Sequence, residues 1–106
     1  MAWFLVIVAG LFEVAMALCL KASDGFSDPL PSAGFLVFAA ISFGLLNLGL
    51  KSLDVGSAYA VWVGIGAVGT AVLGMLVMGD QASPLKIGAL ALIIVGVVGL
   101  NLAGAH

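Results

Sequence analysis

The chain has 106 residues, of which 64% are hydrophobic and 8% charged, with a formal net charge of −2. A water-exposed domain carries about a quarter charged residues, so most of this surface must face lipid. Three lysines and no arginine exclude the basic patch that nucleic acid requires. The mean hydropathy of +1.36 leaves room for one membrane domain over residues 1–106 and none for a soluble one.

Residues 2–20, AWFLVIVAGLFEVAMALCL, form the first apolar run. At about 1.5 Å per residue it can cross a hydrocarbon core of about 30 Å as a helix. Glu13 is its one charged side chain and the only carboxylate inside any apolar run. Counted from Ala2 it lies about 17 Å deep, near mid-bilayer. An ionisable group at that depth costs several kcal/mol, which makes it a functional candidate. Ala9, Gly10 and Ala17 stand one turn either side of Glu13 and make a small-residue stripe, so the carboxylate is expected to face other helices. The lone Cys19 excludes an intrachain disulfide and reads as a small apolar residue. With no basic segment before it, the run reads as a retained helix and not a cleaved leader.

Three further runs follow, at residues 33–50, 57–78 and 87–105. The breaks at 21–32, 51–56 and 79–86 hold the three prolines and every lysine and aspartate. Asp24, Asp28, Asp54 and Asp80 are therefore expected at the membrane interface, ionised. Breaks this short make neighbouring helices antiparallel, giving an all-α four-helix bundle with both termini on one side. Lys21 and Lys86 then fall on one side of the membrane, and Lys51 with the amino terminus on the other. The count carries almost no orientation instruction. Either few charges make it uninformative, or copies insert both ways and pair antiparallel. Transport sites usually lie between two structural repeats, often inverted ones. An antiparallel homodimer of a short chain supplies both, so an oligomer is expected rather than a working monomer.

Ser42, near the middle of the second run, either bonds back to its own backbone or reaches Glu13 or a substrate. Asn47 and Asn101 read as interhelical hydrogen-bonding residues, and His106 as solvated. Tyr59 and Trp62, three apart in SAYAVW, share one helix face. They are either interfacial anchors, as Trp3 reads, or the aromatic wall of a cation site. Gly64, Gly66 and Gly69 have the G-x-G-x-x-G spacing of a dinucleotide fingerprint. They lie within an apolar span and lack the preceding strand, so a closely packed or bending point in the third helix is the better reading. Ala89 and Gly96, seven apart with Gly99 beyond, suit a close helix contact, between subunits or within one. One histidine and one intramembrane carboxylate provide no catalytic constellation, no metal site and no implied cofactor.

The opening MAW, AGLFEV around Glu13, LKASDGF, SAYAVW leading into GIGAVG, and ALALIIVGVVGL together resemble the small multidrug resistance family of proton-coupled exporters. The resemblance implies a multi-pass protein of the bacterial inner membrane that works as an antiparallel, dual-topology homodimer of eight helices. It implies alternating access, with Glu13 binding proton and organic cation in turn. Tyr59 and Trp62 would line the pocket with Ser42, Met16 and Val63. Gly64 and Gly66 would form the bend, and Ala89 and Gly96 the dimer seam. The opening and GIGAVG look more like the guanidinium-exporting branch than the quaternary-ammonium branch. That branch usually has tryptophan and threonine where this chain has Met16 and Val63. Guanidinyl compounds and small hydrophobic or quaternary ammonium cations both stay open as substrates. A non-transporting subunit, or one that requires a related partner in a heterodimer, is the alternative.

Overall fold

The computed structural model describes residues 1–103 as four helices in chain order. They are α1 (Ala2–Ala22), α2 (Pro29–Gly49), α3 (Val55–Val77) and α4 (Pro84–Ala103). All four are long and apolar enough to span a membrane. The protein is thus an all-α, multi-pass membrane protein. His106 and the last two residues of the fourth predicted run lie outside the described residues.

α2, α3 and α4 begin two to four residues before their apolar runs do. Pro29 and Pro31 fall in the first turn of α2, and Pro84 opens α4. Proline is tolerated there because the first-turn N–H groups have no intrahelical acceptor in any case. α1 likewise runs through Lys21, whose charge suits the negative end of the helix dipole. Between α1 and α2, Asp24, Gly25 and Phe26 all take positive φ (49°, 70° and 68°). Ser23 closes this turn: its hydroxyl donates to the Leu20 carbonyl at 2.7 Å and accepts from the Phe26 N–H at 3.2 Å.

α1 is the centre of the arrangement. It packs most extensively on α2 and then on α3, whereas α4 rests on α3. Val6, Ala9, Leu46, Ala58, Val61 and Trp62 form the buried core among the first three helices. Trp3, at the start of α1, packs against that core with its indole nitrogen buried. No residue of α4 is buried. Leu90, Ile93, Val97 and Leu100 follow one another at helical spacing as its half-buried face. The Cα envelope is a slab of 44 × 34 × 16 Å, too thin to enclose anything within one chain. Its exposed leucines, isoleucines and valines suit a surface met by acyl chains or by another subunit.

Candidate functional site

Glu13 sits on the flank of α1 that meets α3. Its carboxylate lies directly against Gly66, where a β-carbon would overlap Oε1 and the carboxyl carbon. Gly66 is buried, and the missing side chain is what lets the carboxylate lie against the helix backbone. Oε1 is buried with no hydrogen-bond partner among the described residues. An unsatisfied buried acceptor costs about 1–3 kcal/mol, and more if charged, so a proton or a cationic donor is favoured there. The side chain as a whole is half-buried and opens into a groove of about 440 Å³. Met16, Ala17, Val63, Ala67 and Thr70 line that groove, and Asp80 and Lys86 stand at its outer end.

Three other sequence-predicted residues gather in a separate cluster. Trp62 is buried and donates its indole N–H to Ser42 Oγ at 2.9 Å. Ser42 donates in turn to the Ala9 carbonyl on α1 at 2.6 Å. The Ser42 hydroxyl serves a neighbouring helix and bonds neither its own backbone nor Glu13. With that proton given to Ala9 and a lone pair given to Trp62, the hydroxyl ties three helices together. Tyr59 packs beside Trp62 at a ring-centroid distance of 5.5 Å, and Phe43 on α2 at 5.3 Å. Tyr59 is 53% exposed and Trp62 only 4%, so the pair presents one open ring and one enclosed one. Within this chain they do not line the Glu13 groove.

α3 runs uninterrupted from Val55 to Val77 through both glycines. Each glycine admits a neighbour. Gly66 receives Glu13, and Gly64 receives Val97 of α4, whose Cγ2 a β-carbon would strike. On α4 the small residues Ala89 and Gly96 are exposed, and nothing lies within 4 Å of a β-carbon built at Gly96. They therefore take no part in packing α4 on α3. Asn47 is exposed as well, and Asn101 borders a cleft between α1, α3 and α4 with Ile7, Val61 and Val97.

These features coincide with a match over residues 1–93 to the family model described as small multidrug resistance protein. The chain belongs to the small multidrug resistance family. Curated relatives agree along nearly their whole lengths. A guanidinium exporter of Yersinia pseudotuberculosis serotype I is 52% identical over 97% of this chain and 99% of its own. That of Escherichia coli strain K12 is 46% identical over 97% and 98%. That of Salmonella typhimurium strain LT2 is 46% identical over 100% of both chains. The subtype suggested by MAW and GIGAVG is thus the one that these relatives carry in their names. Membership makes this small multidrug resistance protein a membrane transporter and not an enzyme.

Sequence reasoning did not find Thr70, Asp80 or Lys86 as groove residues. Thr70 follows Gly66 by one turn on α3, which was a usable signal. Asp80 gave none, because a carboxylate in a break reads as solvated. Its placement depends on Gly79, at φ 76°, which turns the chain so that the Asp80 N–H reaches the Gly74 carbonyl at 3.0 Å.

Proposed function

We propose that this protein exports small organic cations, guanidinium and guanidinyl compounds foremost, in exchange for protons across the bacterial inner membrane. The observation that carries the reading is the Glu13 carboxylate: half-buried in an apolar groove, with Oε1 accepting from no donor among the described residues. A planar cation with several N–H donors satisfies both oxygens of such a carboxylate at once. A proton satisfies it equally well and removes the charge that attracts the cation. Occupation is therefore exclusive, and the two fluxes are coupled if only loaded states reorient. The names of the relatives support guanidinium as the cation.

A slab 16 Å thick leaves the groove open along one side, so a second copy completes the site. The near-balanced lysine count favours antiparallel insertion of the two copies. The exposed Ala89 and Gly96 face of α4 suits the seam between them. Pairing brings the exposed Tyr59 ring of one copy within range of the other's groove, where it can cover a cation. Gly64 and Gly66 are where α3 yields during reorientation, since a helix interior is weakest at glycine.

The decisive experiment reconstitutes the protein in vesicles and follows guanidinium uptake against an imposed proton gradient. The wild type moves guanidinium and counter-moves protons, and Glu13→Gln moves neither. Undiminished gradient-driven transport by Glu13→Gln defeats the reading. The same exposed faces also fit a related but non-identical subunit. Transport by the protein expressed alone, with crosslinks only between its own copies, excludes a required partner.

A further inference from the structure

We propose that Asp80 is a second cation-binding carboxylate of the transport groove, an outer station that receives the organic cation before Glu13 does. The inference rests on the exporter reading above. Gly66, Thr70 and Gly74 are spaced by one helical turn each along a single face of α3. The Glu13 carboxylate lies on the first of these positions. The Asp80 carboxylate lies on the last, where a β-carbon at Gly74 would overlap Oδ2. Both acids use the same device, a glycine that lets a carboxylate rest on helix backbone, at the two ends of one track.

Eight residues of helix separate the two glycines by about 12 Å. A guanidinium ion is far too small to bridge that distance, so the two acids act in succession. Thr70, half-buried between them, borders both the Glu13 groove and a smaller niche of about 110 Å³ around Asp80. Its hydroxyl offers an intermediate acceptor to a partly dehydrated cation. Asp80 is held in place by its backbone, through the N–H to the Gly74 carbonyl and the left-handed turn at Gly79. Its carboxylate is thereby left to the groove. Lys86 lines the same mouth but directs Nζ to the Gln81 carbonyl at 3.0 Å. Lys21 borders the niche from α1. Two lysines at a cation entrance oppose capture, and Asp80 is the negative charge placed to offset them.

The test compares guanidinium transport by reconstituted full-length wild type, Asp80→Asn and Lys86→Gln at low and high salt. Asp80→Asn keeps the shape and the backbone contact and loses only charge. Its KM at low salt is expected to rise roughly three- to ten-fold, with kcat within about two-fold of wild type, and the difference shrinks at high salt. Lys86→Gln is expected to shift KM the opposite way. A KM unchanged in both variants at low salt overturns the proposal. So does a fall in kcat and melting temperature at constant KM, which marks Asp80 as structural. If Glu13→Gln abolishes transport while Asp80→Asn behaves as wild type, the outer station fails and the exporter reading stands. Should Asp80→Asn not fold, a wild-type KM independent of salt overturns the proposal by itself.

Discussion

Trp62 donates its indole N–H to Ser42 at 2.9 Å, and the Ser42 hydroxyl donates in turn to the Ala9 carbonyl at 2.6 Å. One hydroxyl thus joins α1, α2 and α3 where no water competes. Ser42→Ala leaves a buried indole N–H without a partner, at a cost of about 1–3 kcal/mol. Thermal unfolding in detergent is expected to shift down clearly, while guanidinium affinity changes by less than about three-fold, because Glu13 keeps its own contacts. An unchanged melting temperature with lost binding would instead make Ser42 a ligand of the cation.

Gly64 and Gly66 are two residues apart and so project in different directions from α3. Gly66→Ala is expected to push the Glu13 carboxylate out of its seat and lower transport by about 10-fold or more, with little loss of helical content. Gly64→Ala instead meets Val97 and loosens α4. Its expected signature is lower thermal stability and weaker dimerisation, with the proton–cation competition at Glu13 intact. Equal effects of the two variants on binding and on oligomeric state would show that the helix bends as a unit there.

The four spans, Glu13 and its small-residue stripe were legible because hydropathy and helical spacing report burial directly. A charge within nineteen apolar residues leaves few interpretations, and Ala9 and Gly10 are indeed buried on its face. The helix starts were less so. Pro29, Pro31 and Pro84 signal a break and an N-terminal turn equally well, and the structure uses them as the latter. Ser42 and Trp62 were out of reach for a different reason. They are twenty residues apart on different helices, and helical periodicity says nothing about which faces meet. The placement of Asp80 beside the groove was hidden in the same way, since it depends on a turn at Gly79 and on an approach to Gly74.

Outside the membrane span, Asp54 caps α3 by accepting the Ser57 N–H at 3.1 Å. That hydrogen bond holds the Asp54 carboxyl below its ordinary value. A carboxyl lowered in the folded state stabilises the fold above its unfolded value, and the contribution disappears as pH falls through the folded value. The cap is therefore complete at neutral pH and is lost only in acid, as pH falls through that lowered value. Melting temperature followed from pH 7 to about pH 3 should show an acid limb that Asp54→Asn flattens, since the amide oxygen still accepts from Ser57 at every pH. An acid limb of the same depth in the variant assigns it to other groups.

Met16 and Val63 border the Glu13 groove, at the two positions where the resemblance to the guanidinium-exporting branch implies tryptophan and threonine. Both are apolar, so the groove presents a carboxylate with little polar company. A guanidinium ion loses several water contacts on entering and, beside Met16 and Val63, recovers only those that Glu13 returns. A hydrophobic cation loses fewer and gains contact with the adaptable methionine. Restoring Val63→Thr supplies an acceptor beside the carboxylate with almost no change of volume. Met16→Trp supplies an N–H that can hold the carboxylate in a fixed orientation. Each added hydrogen bond is worth about 1 kcal/mol, or about five-fold in affinity, to a cation that uses it. A tetraalkylammonium ion has no N–H to use, and it leaves the new groups dehydrated and unpaired. The ratio of guanidinium to tetraethylammonium affinity, measured by competition on the purified protein, should therefore rise about five-fold with Val63→Thr and further in the double variant. A ratio that stays level or falls would mean that selectivity is set by the partner subunit's side of the site and not by this wall of the groove.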